Sequence, residues 1–276
     1  MTLIYLKIKL SFADYDKVIF SSMEELSFGL VSLCQKAYII CHDNARNWDK
    51  GIKGFFLKKI AAKNTFVVFN SFMAEPFKKE GIRHYIVSHG CIQPFTLDSE
   101  VTLPIDILHY DTIIFHPSNR PNEQFIEELK ASKSFHKFLK DSNSLLILRS
   151  LSPQKDISDN IIYINDYLSF DQYKKLFLKS DIILMAYPDS FSHRVSGVSF
   201  EAVANKKCIL IKRNQALSYC KDFYNYDPLF SNIEQLQEKI IYLRTHSECS
   251  CIVNPTDLLP NYSHILSSNN QPDKDY

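Results

Sequence analysis

Along the chain, short uninterrupted apolar runs alternate with longer stretches in which apolar positions recur at helical spacing. The apolar runs are Lys17–Phe20, Ala37–Cys41, Phe66–Phe69, Tyr85–Ser88, Thr112–Phe115, Leu145–Leu148, Ile161–Ile164, Asp181–Met185 and Cys208–Ile211. None alternates polar with apolar, so each predicts a strand covered on both faces, as in a parallel sheet. The stretches between them predict helices near 23–35, 52–62, 72–80, 122–131, 170–179, 199–205 and 232–244. Asn122 opens a helix whose first turn carries acids that complement the dipole, and Ser169 is placed to cap the helix behind it.

Strand followed by helix, repeated, predicts an α/β protein with mostly parallel sheets. The alternation breaks once, over 91–110, where two prolines interrupt a segment with no helical period. That segment predicts a linker between two Rossmann-like domains, one over 1–90 and one over 111–266. The polar segment 267–276 (SNNQPDKDY preceded by Ser267) is expected to be a disordered tail.

Composition narrows the class. Of the 276 residues, 45% are hydrophobic and 23% charged, the proportions of a globular protein, so disorder is excluded for most of the chain. Lys+Arg of 32 against Asp+Glu of 31 leaves a net charge of +1, which provides no global field for nucleic acid. No apolar run reaches the roughly 18–20 residues that cross a bilayer, and the first residues lack the pattern of a secretory signal. The seven cysteines (Cys34, Cys41, Cys91, Cys208, Cys220, Cys249, Cys251) are odd in number and scattered, which predicts reduced thiols and a cytoplasmic setting. Cys249 and Cys251 lack a second pair or histidines at zinc-ligand spacing, so no metal is expected.

The densest chemistry lies in 181–205, DIILMAYPDSFSHRVSGVSFEAVAN. A strand ends near Ala186, a loop follows, and a helix begins at Ser196–Gly197. Ser196 is placed to cap that helix and Gly197 to admit a close ligand, so the first N–H groups form a candidate phosphate or diphosphate site. Arg194 can add a bidentate charge, and Glu201, one turn on, can accept hydrogen bonds from vicinal hydroxyls. On spacing alone the same residues also read as a plain helix start with an acid matched to the dipole.

This run, from Ser180 through Ala204, resembles the donor-binding region of GT-B glycosyltransferases, and within them glycosyltransferase family 4 and its relatives in bacterial surface-polysaccharide synthesis. Asn160–Phe177 (NIIYINDYLSFDQYKKLF) is similar to a second segment of that family. Phe69–Gly81 and Ile86–Gly90 are similar to the end of its acceptor domain. The likeness spans roughly residues 14–245 and is specific over 160–211. It implies a GT-B-like fold whose N-terminal domain is truncated, because what resembles a late strand of that domain is reached by residue 17. It also implies that Ser196, Gly197 and Val198 hold a donor diphosphate and Glu201 the donor ribose. Family members often carry a second glutamate eight residues earlier, and this chain departs from them with His193 at that donor-side position.

Other candidates sit at predicted carboxyl ends of strands, where α/β sites form. His116, Ser118, Asn119 and Arg120 follow the TIIF strand and face the expected diphosphate, with Arg120 its direct contact. Arg149 ends the LLIL strand as a second basic candidate; either arginine could instead pair with a surface acid. His42 and Asp43 follow the AYIIC strand, where a His-Asp pair could orient an acceptor hydroxyl or take its proton, or simply cap the next segment. Lys50–Lys63 reads as an amphipathic helix with a lysine face opposite Phe55, Phe56, Leu57 and Ile60, suited either to anionic lipid or to core packing.

The expectation is a glycosyltransferase moving a sugar from a nucleotide-diphosphate sugar to a glycan or lipid-linked saccharide acceptor. No metal or other cofactor is required, and peripheral contact with the inner membrane surface is expected. A rival from another class is a non-catalytic nucleotide- or glycan-binding partner of a complete transferase; a GT-B-fold epimerase is a third.

Overall fold

A computed structural model of the chain describes residues 2–12, 15–31, 36–90, 93–97, 100–150 and 153–267. The protein is α/β, with two sheets whose strands all pair in parallel. Residues of 1–90 cluster with 192–195 and the segment from Leu258 into one compact unit, and 91–191 with 196–257 into another.

In the first unit β1 (Ile19–Phe20), β2 (Tyr38–Ile40), β3 (Thr65–Val68) and β4 (His84–Ile86) lie side by side in chain order. They are joined by α2 (Glu25–Val31), α3 (Gly51–Ala61) and α4 (Ser71–Lys79). Every crossover steps in the same direction, and right-handed crossovers then lay all three helices on one face of the sheet. Leu57 and Ile60 of α3, Phe66 and Val68 of β3, and Met73 and Phe77 of α4 form the core between them. α1 (Thr2–Phe12), which the sequence reading did not assign, packs on α2 and turns Leu6 and Leu10 toward that core. The other face, with Val67 and Val87, is covered by Ile265 of α10 (Ser263–Ser267) and by Tyr262.

The second unit is built on β5 (Thr112–His116), β6 (Ser144–Arg149), β7 (Ile161–Ile164), β8 (Ile182–Met185), β9 (Cys208–Lys212) and β10 (Leu229–Phe230), in the spatial order β10-β9-β8-β5-β6-β7. The chain runs outward from β5 through β6 and β7, then returns to the other side of β5 for β8, β9 and β10. This is the order of a doubly wound, Rossmann-like sheet. α5 (Glu123–Ala131), α6 (Lys133–Asp141), α7 (Phe170–Lys179), α8 (Gly197–Ala204) and α9 (Ile233–Thr245) make the connections. Every residue of β5 and β8 is buried, which explains their uninterrupted apolar sequence. The helix starts follow local chemistry: Asn122 accepts from Phe125 N at 3.0 Å, Ser169 and Gln172 form a reciprocal capping box, and Asn232 accepts from Gln235 N at 2.9 Å.

Four expectations change. Residues 93–97 and 100–102, read as linker, belong to the second unit and lie along α7: Phe95 packs edge-on to Phe177 at 5.3 Å, and Gln172 donates to the Thr102 carbonyl at 3.0 Å. The second domain, carried through 266 by the sequence, loses the segment from Leu258 to the first unit, because Ile265 is needed to cover Val67 and Val87. α6 and β10 were not foreseen, the first because KSFHKFLKD is mostly polar around Phe135, Phe138 and Leu139, the second because it has two residues. On α3, Leu57 and Ile60 are buried as expected, but Phe55 is 64% exposed. Of the expected tail over 267–276, Ser267 instead ends α10, and the rest, together with Cys34 and Cys91, lies outside the described residues; Cys41, Cys208, Cys220, Cys249 and Cys251 are free thiols. Among the described residues no helix is long and apolar enough to cross a membrane.

Gly54 sits against backbone in the first unit: a Cβ there would lie 2.4 Å from the Trp48 carbonyl oxygen and 3.1 Å from that of Asn47. Alanine is favoured over glycine inside a helix by about 1 kcal/mol. Backbone cannot yield as a side chain can, and overpacking of this kind costs about 1–3 kcal/mol. Gly54→Ala should therefore lower the unfolding free energy by up to about 2 kcal/mol, read as a reduced urea midpoint with unchanged slope.

Candidate functional site

The reversal of strand order in the second sheet opens a crevice beyond the carboxyl ends of β5 and β8, the place where ligands bind in open α/β sheets. The two strand ends are tied together there. Asn122 N donates to the Ala186 carbonyl at 2.7 Å, while its side-chain amide donates to the Tyr187 carbonyl and to Asp189 Oδ1, each at 3.3 Å. His116, expected to face a diphosphate, is instead fully buried, with Nδ1 2.9 Å from the Ser118 carbonyl oxygen and Nε2 3.3 Å from that of Ala186. Burial pushes its pKa down to about 4, with the Arg149 charge acting in the same direction, so the ring is neutral and structural.

Ser196 begins α8 as expected, but its hydroxyl does not cap the helix. It bonds the Tyr187 hydroxyl at 2.8 Å, because both groups are buried and each needs a partner. Behind it runs a closed ring of donors. Ser196 N–H donates to Tyr219 Oη at 3.1 Å, and Ser199 Oγ donates to the Ser196 carbonyl at 2.7 Å. The Tyr219 hydroxyl, 2.8 Å from Ser199 Oγ, then closes the ring by donating to it. Burial raises the pKa of Tyr219 and so keeps that proton in place. The first turn of α8 is left without a side-chain cap. Gly197 is exposed, a Cβ added to it would meet nothing within 4 Å, and Val198 is partly exposed.

Glu201, one turn along, receives the Tyr173 hydroxyl on Oε2 at 2.5 Å, and its other oxygen has no hydrogen-bond partner among the described residues. Burial raises its pKa, against the pull of the Tyr173 hydrogen bond. Arg149 is half-buried at the end of β6, donates to the Pro117 carbonyl at 3.0 Å, and sets its guanidinium 5.8 Å from the Tyr173 ring centre. Arg149, Tyr173 and Glu201 therefore form one group at this edge. Tyr173 and Tyr187 were missed by the sequence reading; the only signal was their place just inside a helix and just past a strand.

Asn119 and Arg120 lie elsewhere on the same edge. With Asn122, Gln154, Tyr163 and Asp189 they line a cleft of about 710 Å³ beside α5, which Gly197 and Glu201 do not line. Ser118 is half-buried and its hydroxyl accepts from Arg120 N at 3.2 Å, so the loop is held by its own turn.

The remaining candidates belong to the first unit. His42 is exposed beyond β2, with Nε2 2.9 Å from the Ser21 carbonyl oxygen, and it forms an aromatic cluster with Phe69 (5.2 Å) and His89 (6.5 Å). Asp43 does not join it: its carboxylate pairs with Arg46 at 3.0 Å. His193 stacks flat on Phe72 at 4.6 Å and holds φ +49°, a left-handed conformation uncommon outside glycine. Burial lowers its pKa. Arg194 is half-buried beside it, and Val195 packs on the first core.

Among the described residues no group of three or more His, Cys, Asp or Glu side chains is placed to hold a metal ion. No protein-family model and no curated protein matches the chain.

His116 gives this edge a pH signature. Its folded pKa of about 4 lies below the ordinary 6.5, so the unfolded chain takes the proton first. The stabilisation is complete above pH 6.5 and is lost as pH falls toward 4, up to about 3 kcal/mol by linkage. Urea unfolding at pH 7.5 and at pH 5 should show a loss that His116→Gln reduces by about 2 kcal/mol.

Proposed function

We propose that the chain is a glycosyltransferase that uses a nucleotide-diphosphate sugar and delivers the sugar to a glycan or lipid-linked saccharide, acting in the cytoplasm. The observation that carries this reading is Glu201: a carboxylate with one oxygen anchored by Tyr173 and the other uncommitted, one turn behind the uncapped first turn of α8. Together they offer acceptors for vicinal hydroxyls next to donors for phosphate oxygens. The resemblance of 160–211 to family 4 glycosyltransferases supports the same assignment.

In this reading Gly197 and Val198 N–H groups receive the diphosphate. Arg149, grouped with Tyr173 and Glu201 in the second unit, supplies positive charge, and no metal is required. The acceptor hydroxyl attacks the anomeric carbon, the bond from that carbon to the diphosphate oxygen breaks, and the nucleoside diphosphate leaves with the bonding pair. With Nε2–H of His42 donating to the Ser21 carbonyl, Nδ1 holds the lone pair that takes the acceptor proton.

One observation favours the rival reading of a non-catalytic binding partner: Asp43 is committed to Arg46, leaving His42 without a carboxylate to orient it. Donor hydrolysis or transfer no greater in the wild type than in a His42→Ala, Glu201→Ala double variant would establish that reading instead.

The donor site is tested by calorimetry with UDP, GDP, CDP, dTDP and ADP. One base should bind, and Glu201→Gln, which exchanges a charged acceptor for a neutral one, should weaken it by about 1–2 kcal/mol, roughly 5- to 30-fold. The melting temperature of the unliganded variant should stay near that of the wild type. Equal affinity in both proteins would remove Glu201 from the site.

A further inference from the structure

The cleft of about 710 Å³ beside α5 is lined by none of the groups assigned to the donor: Arg149, Tyr173, Gly197 and Glu201 all lie outside it. It falls wholly within the second unit, and its volume is that of small-molecule sites, roughly 300–1,000 Å³. α5 lines it with Glu123, Ile126, Glu127 and Lys130, positions three and four apart on one helical face. Arg120 and Pro121 from the loop after β5, Tyr163 from β7, and Pro188 and Asp189 from the loop after β8 supply further walls.

Several polar groups in these walls are not spent on the protein itself. Arg120 is exposed, and its guanidinium has no hydrogen-bond or ion-pair partner among the described residues. The Glu123 carboxylate and the Tyr163 hydroxyl likewise have no side-chain partner among the described residues. Asp189 offers Oδ1 to the Asn122 amide at 3.3 Å and keeps Oδ2 uncommitted. Lys130 and Glu127, by contrast, neutralise each other at 2.8 Å. The uncommitted charges are therefore two carboxylates and one guanidinium, and between them lie the apolar surfaces of Ile126, Pro121 and Pro188.

Mixed signs at this spacing select against charged ligands. An anion would meet Glu123 and Asp189, and a cation would meet Arg120. A peptide adding as a strand would need the outer edge of β7, and that edge is taken. Ile157 N–H donates to the Ile161 carbonyl at 2.9 Å, and Tyr163 N–H to Asp156 Oδ1 at 2.6 Å. Neutral hydroxyls suit the walls, because one hydroxyl both donates to a carboxylate and accepts from a guanidinium or phenol. We propose that this cleft binds a neutral oligosaccharide, whose hydroxyls donate to Glu123 and Asp189 and accept from Arg120 and Tyr163 while its ring C–H faces cover Ile126 and the two prolines. It gives a glycan a foothold separate from Glu201. The inference concerns binding alone and does not rest on the transferase reading.

The test is saturation-transfer NMR on the full chain with neutral trisaccharides of glucose, galactose, mannose and N-acetylglucosamine. At least one should bind, with an affinity unchanged between about 0.1 and 0.5 M salt, because the ligand carries no charge to screen. Glu123→Ala and Arg120→Ala should each weaken that sugar by about tenfold or more, the effect of losing a hydrogen bond to a charged group. Both side chains are exposed, so the melting temperatures should stay near that of the wild type. Glu201→Gln should leave the sugar affinity unchanged, which separates this cleft from the nucleotide site. Binding by none of the four sugars, or affinity undiminished in both cleft variants, would overturn the proposal. So would sugar binding that Glu201→Gln abolishes, or binding of a sulfated heparin tetrasaccharide in place of the neutral sugars.

Discussion

The second unit depends on one adjacency: β8 returns to pair with β5 after the chain has already travelled outward through β6 and β7. Two neighbouring strands whose following helices must diverge leave their carboxyl ends uncovered. Uncovered backbone at the end of a buried sheet has to find partners. Asn122 provides them, reaching from the loop after β5 to the carbonyls of Ala186 and Tyr187, and the His116 ring lies between the Ser118 and Ala186 carbonyls with one N–H to give. The crevice is thus held open by side chains committed to backbone, and the residues that remain available to a ligand are those the stitching did not use.

The same logic governs α8. A buried serine at a helix start would ordinarily spend its hydroxyl on the helix, but Tyr187 is equally buried and its hydroxyl must also be satisfied, while the half-buried Tyr219 takes the Ser196 N–H. The ring through Ser196, Ser199 and Tyr219 fixes the entry of the chain into α8 without occupying the N–H groups of its first turn. Rigid placement and unoccupied donors, usually in conflict, coexist here because the tyrosines approach from behind.

Much of this architecture was legible. Nine strands were readable because each is a continuous, mostly apolar run, and those inside the sheets, β3, β5 and β8, are buried along their whole length; helices with Asn or Ser before an apolar period announced their starts. What escaped were features set by contacts distant in sequence. α6 is amphipathic through Phe135, Phe138 and Leu139, a short apolar set interleaved with lysines. His116 looked like a loop ligand because nothing local indicates that Ala186 will lie 3.3 Å from its Nε2. Asp43 beside His42 looked like a dyad, yet its carboxylate pairs with Arg46, one turn later, at 3.0 Å. Ser196 and Glu201 were found from sequence, but their hydroxyl partners were not, since Tyr173 and Tyr219 come from other helical segments.

The covering of the first sheet by α10 has a bearing on how the protein is made. Lys17 donates to the carbonyl of Ile265, 248 residues away, and Ile265 is the residue that packs on Val67 and Val87. At about 5–20 residues per second, a ribosome needs on the order of 10–50 s to traverse that separation. During that interval β1–β4 can already be paired and backed by their helices while Val67 and Val87 still face water. The nascent chain therefore passes through a stage with one finished and one sticky side, and a chaperone that shields apolar strand faces would find its target there rather than in the later, self-covering second sheet.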